Sequence, residues 1–356
     1  MINEAVIVIN PGSTSTKVAL YSRQGELHAQ NIEHEQSELD KIPRIADQLD
    51  YRLTLIKTFL RDYLSQHSFK IVGVVGRGGI VKPLSGGTYR ISPDFLDDAS
   101  SGKYGEHASN LGSLLANRLK ELYNLDECYT VDPVSVGNMW AKAEISGVPD
   151  IVRIGRGHPL NMKMTARKVA RLQQIPFSET NYIIGHLGGG ISISLVQAGK
   201  LVDINDGLLG MGPFSPNRAG SLPLRGVMKL CYSMTEPEVK TLLSKNSGFK
   251  AYLGTEDLRD VIKMMAQGDK KAQLIFDAFV YQVAKEIGAY YVASKCEAQA
   301  IIITGGIAHN KQFIDELKSY VGKLTAFYVF PGENEMEALA EGVFRVIDGE
   351  EEAQEY

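Results

Sequence analysis

Cysteine is scarce in this chain. Cys128, Cys231 and Cys296 are the three in 356 residues, far apart and with no C-x-x-C pair. That pattern excludes a disulfide framework and a zinc ribbon, and it reads as reduced packing residues in a cytoplasmic protein. No stretch approaches the ~18 uninterrupted apolar residues of a membrane span. The start, Met1-Ile2-Asn3-Glu4, lacks the basic region of a signal peptide. Basic charge is not in excess: 38 Lys and Arg stand against 42 Asp and Glu, a net charge of −4. No electrostatic footprint for nucleic acid or an anionic membrane results. The 13 prolines form no Pro/Ser-rich linker. The G-x-x-x-x-G-K-[ST] spacing of a P-loop is missing as well.

What is there begins at the amino terminus. Val6-Ile7-Val8-Ile9-Asn10 reads as a buried strand, Pro11-Gly12-Ser13-Thr14-Ser15-Thr16 as a tight turn, and Lys17-Val18-Ala19-Leu20-Tyr21 as a returning strand. Gly12 permits close backbone approach. Ser13, Thr14, Ser15 and Thr16 supply hydroxyls and Lys17 a cation, which is what a nucleotide phosphate needs. Asn10, at the strand end, offers a side-chain oxygen to a metal-bound water. Mid-chain the device recurs: Tyr182-Ile183-Ile184-Gly185-His186, then Leu187-Gly188-Gly189-Gly190, then Ile191-Ser192-Ile193-Ser194. Both copies run on into a turn and a third strand, Gly25-Glu26-Leu27 in one and Gly199-Lys200-Leu201 in the other. A large unit used twice sets the architecture of the whole chain.

Length implies about two domains, each with its own core; 44% hydrophobic and 22% charged residues are ordinary for a globular chain. Each meander is followed by helices and buried strands. Apolar spacing predicts helices at 47–67, 106–123, 162–172, 222–232, 236–245, 256–267, 269–294 and 336–347. Strands are expected at Ile71–Val75, Cys128–Val131, Ala300–Ile303 and Phe327–Phe330. The 269–294 helix, apolar around much of its surface, is either central or at a subunit interface. The tail, with Glu350, Glu351, Glu352 and Glu355, reads as a solvated acidic end. The result is a two-domain α/β protein with mixed sheets, residues 1–134 plus 336–356 in one domain and 135–335 in the other, and a ligand cleft expected between them.

Six motifs in this order resemble the acetokinase family, and its butyrate kinase members most closely. They are Asn10-Pro11-Gly12-Ser13-Thr14-Ser15-Thr16-Lys17, Gly76-Arg77-Gly78-Gly79, His186-Leu187-Gly188-Gly189-Gly190-Ile191-Ser192, Ser215-Pro216-Asn217-Arg218-Ala219-Gly220, Thr304-Gly305-Gly306 and Pro331-Gly332-Glu333-Asn334-Glu335-Met336. The resemblance spans nearly the whole chain. It implies a duplicated actin-like ATPase (ribonuclease H-like) fold and transfer of the ATP γ-phosphoryl group to a short- or branched-chain carboxylate. The implied products are ADP and an acyl phosphate, with Mg2+ required and a homodimer or larger assembly as the form.

By the same resemblance Arg77 and Arg218 contact the carboxylate or the transferred phosphoryl, where a planar fork suits trigonal oxygens. His158 stabilises phosphoryl oxygens and Asp132 orients near the transferred group. Asn10 and Glu335 form the magnesium shell. Ser13, Ser15 and Lys17 belong to the first phosphate loop; His186, Gly188, Gly190 and Ser192 form the second; Gly305, Gly306 and Ile307 lie by the adenosine. Plainer readings stand beside these: Arg77 as a surface turn residue, His158 as a helix cap, Asp132 as a strand end, Lys17 pointing outward. A carboxylate acceptor is ionised at neutral pH, so the missing general base fits this reaction and counts against a sugar kinase.

The chain departs from the family where the acyl group should bind. Butyrate kinases carry an aromatic residue before the histidine and alanine after it; here Gly157 and Pro159 flank His158. Ser135-Val136-Gly137-Asn138-Met139-Trp140 differs from the usual acidic version. The glycine either enlarges the pocket or is backfilled by Met139 or Trp140. Competing readings are a non-catalytic nucleotide-binding sensor and a phosphatase-like relative acting on polyphosphate.

Overall fold

The computed structural model describes residues 3–137 and 139–356. Met1 and Ile2, at the start read as leaderless, and Asn138, in the departing segment, lie outside the described residues. The chain divides into two compact units, Met1–Gly137 with Asn334–Tyr356, and Asn138–Glu333.

The first unit is built on a six-stranded sheet. β1 (Asn3–Pro11), β2 (Ser15–Ser22) and β3 (Gly25–Glu33) form the antiparallel meander. β4 (Phe69–Gly76) and β6 (Tyr129–Val131) lie parallel to β1, and β5 (Thr88–Arg90) closes the edge, giving the order β3-β2-β1-β4-β6-β5. Side chains alternate across the sheet. Ile7, Ile9, Val18, Leu20 and Val74 meet Leu53, Ile56 and Leu60 of the Leu49–Leu64 helix, and Leu111 and Leu115 of the Asn110–Leu122 helix. The opposite face takes the Glu335–Ile347 helix, whose Val343 rests against Gly73.

The second unit repeats this order around β7 (Asn181–Leu187), β8 (Ile191–Gln197), β9 (Lys200–Ile204), β10 (Ala300–Gly305) and β11 (Ala326–Pro331), arranged β11-β10-β7-β8-β9. Both faces are covered. Ile183, Leu187, Ile301 and Ile303 pack on the Lys270–Ala293 helix, and Tyr182, Ile184, Val196 and Ile302 on the Pro159–Gln173 helix. Each fully buried aliphatic side chain contributes roughly 1.5–3 kcal/mol. Ile275, Phe276, Phe279, Val280, Val283 and Ile287 are all buried, so the 270–293 helix is central to its unit.

Several expectations are corrected. Cys128 is buried, and burial pushes its thiol up to about 12, but Cys231 and Cys296 are exposed and are not packing residues. The carboxyl-terminal tail is a solvated end only in part: Glu350, Glu352 and Glu355 are exposed, but Glu351, Gln354 and Tyr356 are tied to the fold. Gln354 extends the sheet edge, accepting from Arg90 N at 3.0 Å and donating its own N–H to Thr88 O at 2.8 Å. Tyr356 donates to Asp98 at 2.6 Å and packs edge-on against Phe95. The Pro93–Ser101 helix and β5 carry too little periodic signal to be seen beforehand. Among the described residues no helix is long and apolar enough to cross a membrane.

Candidate active site

In the first unit the carboxyl ends of the parallel strands β1, β4 and β6 carry Asn10, Arg77 and Asp132 in turn, where open α/β sheets present ligand groups. Asn10 Nδ2 donates to Glu335 Oε2 at 2.8 Å, and Arg77 Nη1 donates to the same oxygen. Three predicted residues, 325 positions apart at the extremes, thus share one half-buried cluster. Glu335 is the first residue of its helix and only 8% exposed. Arg77 is fixed by its backbone: its N–H donates to Ile9 O at 2.9 Å, and Gly76 lies directly on Gly112 of the Asn110–Leu122 helix. A Cβ on Gly76 would land inside the Gly112 carbonyl, so the glycine beside Arg77 serves close helix packing. The nearby His107 imidazole is held below its ordinary pKa by burial first and by the Arg77 charge second.

Asp132 sits at φ +41° just past β6 and is buried. Its Oδ1 accepts from Gly87 N at 2.9 Å, while its own N–H donates to Gly87 O at 3.0 Å. Lys17 is the cross-strand partner of Asn10 and therefore shares its face of the sheet, exposed. Ser13 is exposed at the hairpin tip and Ser15 half-buried. The hairpin closes on itself through Gly12 N to Ser15 O, 2.7 Å.

Sequence reasoning missed what lies beneath this hairpin. Arg52, in the Leu49–Leu64 helix, is fully buried. It donates to the carbonyls of Gly12 (2.8 Å), Ser13 (3.1 Å) and Ser15 (3.1 Å), and to Thr16 Oγ1 (3.1 Å). Gln48 Oε1 takes two further bonds from it. His34 Nε2 bonds Thr16 Oγ1 at 2.8 Å from the other side. The signal was present as an arginine set among Leu49, Leu53 and Ile56, on the apolar face of its helix.

The second unit gathers its own set. His158 occupies the N-cap position of the Pro159–Gln173 helix, yet its side chain makes no cap bond. The ring stacks on His186 at 3.9 Å between centroids and lies 3.5 Å from Ser192 Oγ. Asn161, also unforeseen as a site residue, donates from Nδ2 to His186 Nδ1 at 2.8 Å. His186 Nδ1 is thereby the acceptor, and the neutral ring carries its proton on Nε2, the atom facing Gly188. Gly188 N donates to Gly190 O at 3.0 Å, and Ser215 Oγ donates to Gly189 O at 2.7 Å. Arg218 lies against Gly190 with Nη1 donating to Gly207 O at 2.6 Å. Burial lowers its pKa, partly offset by Asp206.

Gly305, at φ +91° against the Leu187 backbone, exchanges hydrogen bonds with Gly332 at 3.2 and 3.0 Å. Next to it Gly306 and Ile307 join Gly188 and Gly189 in lining a 730 Å³ cavity, walled by the Thr255–Arg259 segment. That wall carried no motif in the sequence. At Gly157 the space is filled by Ile204 and Ser192, while Met139 reaches Gly155. The glycine substitution therefore opens no pocket at that point, and Trp140, bonded to Val202 O at 2.8 Å, packs against the core on the other face of the sheet.

Among the described residues no three His, Cys, Asp or Glu side chains form a metal cluster. The first sheet presents two buried carboxylates, Glu335 and Asp132, and one amide, Asn10; Glu335 and Asn10 are in contact, while Asp132 Oδ1 accepts from Gly87 N. Hard oxygen donors of this number suit Mg2+, which keeps several waters and binds through one or two carboxylates together with substrate phosphates.

Two sheets of the same order, each opening with a glycine- or serine-rich hairpin, define the actin-like ATPase fold. The Acetokinase family model matches residues 150–349. A protein described as a probable butyrate kinase 2 from Caldanaerobacter subterraneus subsp. tengcongensis is 42% identical over 351 residues, 97% of this chain and 98% of its own. Butyrate kinase 2 of Clostridium acetobutylicum is 39% identical over 353 residues, 99% of each. Among solved structures, Porphyromonas gingivalis acetate kinase superposes with a TM-score of 0.78 at 17% identity, covering 96% of this chain and 99% of its own. The chain belongs to the acetokinase family. It is a carboxylate kinase, a phosphotransferase with a carboxyl group as acceptor.

Proposed function

We propose that this kinase uses magnesium-ATP to phosphorylate a short- or branched-chain carboxylate of the butyrate or isobutyrate size, reversibly and by direct in-line transfer. The full-length relatives named as butyrate kinases support the acceptor class. The observation that carries the chemistry is the Asn10–Glu335–Arg77 cluster at the strand ends, a guanidinium braced by a buried carboxylate.

An acceptor carboxylate with a reference pKa near ~4 is already anionic at pH 7, so no base has to remove a proton. One of its oxygens attacks the γ-phosphorus. The new O–P bond forms as the bond to the β–γ bridging oxygen breaks, and that electron pair leaves with ADP. The obstacle is repulsion between anions, and positioning with positive charge lowers it. In this reading Arg77 and Arg218 neutralise the acceptor and the moving phosphoryl group. His158 and His186 donate to its oxygens, and Asp132 orients the loop it caps. Ser13, Ser15 and Lys17 hold phosphate on the first hairpin, and Gly188, Gly190 and Ser192 on the second. Gly305, Gly306 and Ile307 leave room for adenosine in the 730 Å³ cavity. Mg2+, held by Asn10 and Glu335 through water, would spread the charge of the phosphate oxygens. A homodimer or larger assembly, cytoplasmic in location, completes the proposal.

A hydroxamate assay for acyl phosphate, run with magnesium-ATP and acids from acetate to isovalerate and benzoate, tests it. Turnover should peak at four or five carbons. Arg77→Ala should lower kcat by about 10²–10³-fold, the usual loss of one charge-stabilising donor, and lower the melting temperature as well, because it strips the buried Glu335 carboxylate of its cation. Tight ATP binding without turnover on any acid would replace the kinase reading with that of a sensor.

A further inference from the structure

We propose that Arg52 is a positioning residue for the first phosphate hairpin: a buried cation that turns the hairpin's amides toward the phosphate and has that phosphate as its counter-ion. The inference rests on the reading of residues 10–17 as a phosphate loop.

Arg52 is one of the largest fully buried side chains among the described residues. Its acceptors are three main-chain carbonyls, one hydroxyl and one amide oxygen, all neutral. Among the described residues no carboxylate pairs with it. A buried charge ordinarily has a partner or shifts to neutrality. Burial does lower the guanidinium, to about 10, which still leaves it protonated at pH 7. The fold therefore retains an uncompensated positive charge directly behind the hairpin tip.

Geometry gives that charge a second role. Each peptide is planar and trans, so a carbonyl and the following N–H point in opposite directions. Arg52 draws the Gly12 and Ser13 carbonyls inward. The N–H groups of Ser13 and Thr14 consequently point away from it, outward from the hairpin. Successive outward amides over a buried cation make an anion-binding concavity. The planar fork is required for this, because a lysine ammonium cannot span three carbonyls and Gln48 at once. Arg52 touches no reacting atom in this scheme; it acts through the loop.

The experiment compares wild type, Arg52→Gln, Arg52→Lys and Ser13→Asp, reading KM for magnesium-ATP, KM for the carboxylate, kcat and melting temperature. Ser13 is exposed, so S13D adds a negative charge at the tip without disturbing packing. R52Q should raise KM for magnesium-ATP at least tenfold while moving the carboxylate KM less than threefold. R52K, which keeps the charge and loses the fork, should fall between. In R52Q the His34 imidazole, now depressed by burial and by the Arg52 charge, should titrate at higher pH by NMR. If R52Q does not fold, R52K alone decides, with a rise of threefold or more in the nucleotide KM expected. A variant that loses melting temperature and kcat while its nucleotide KM stays at the wild-type value would overturn the proposal. Nucleotide affinity unmoved by S13D would instead remove the phosphate-loop reading beneath it.

Discussion

At the residue scale, His34 shows how the hairpin's supports respond to acid. It is 6% exposed, bonded to Thr16 and edge-on to Tyr51, and its Nδ1 is buried without a partner. Burial, then the Arg52 charge, lowers its pKa from 6.5 to about 4. The unfolded chain therefore takes up a proton before the folded one. Stability is complete above pH 6.5 and falls as pH drops from 6.5 toward 4, by up to about 3 kcal/mol. His34→Gln keeps an acceptor for Thr16 and removes the titration. Urea unfolding of both proteins at pH 7 and pH 4.5 should show a smaller acid loss in the variant. An equal loss in both would place the acid sensitivity elsewhere.

Elements position the site through close backbone approach, and the two glycine classes respond to substitution in opposite ways. Gly76 at the end of β4 faces the Gly112 carbonyl, so Gly76→Ala forces the strand and helix apart. A loss of about 2 kcal/mol or more in unfolding free energy is expected, in the overpacking range, together with reduced kcat because Arg77 follows directly. Gly306 has open space where a Cβ would go, at the mouth of the 730 Å³ cavity. Gly306→Ala should leave the melting temperature unchanged and raise KM for ATP. The sequence displays both as glycines after a buried strand. Only packing distinguishes a glycine that makes room for a helix from one that makes room for a ligand.

Across the whole molecule the two ends of the chain meet within the first unit. Asn334–Tyr356 returns to the sheet begun at the amino terminus. Glu351 accepts from Thr88 N at 3.0 Å, Gln354 adds to β5, and Tyr356 is held by Asp98 and by Lys82 N. Deleting residues 351–356 removes these bonds, each worth about 0.5–1.5 kcal/mol. A loss of about 2–4 kcal/mol in unfolding free energy should follow. The deletion also uncovers Gly87, the hydrogen-bond partner of Asp132, against which Gln354 and Glu351 pack, so kcat should fall with it. Full stability and activity in the truncated protein would show the tail to be dispensable.

The duplicated meander, its buried strands and both glycine hairpins were readable from local pattern, because alternation, turn chemistry and motif spacing are properties of neighbouring residues. Asn10 was visible at its strand end, whereas Arg77 and Glu335 were singled out through the motifs that carry the family resemblance. That Glu335 joins residues 258 and 325 positions earlier depends on the last helix crossing the first sheet. The same holds for Arg52 beneath the hairpin, for the Thr255–Arg259 wall of the cavity, and for Gly157 being filled by Ile204 and Ser192. Those contacts join segments whose separation in sequence carries no periodic signal, so only the packing of whole elements decides them.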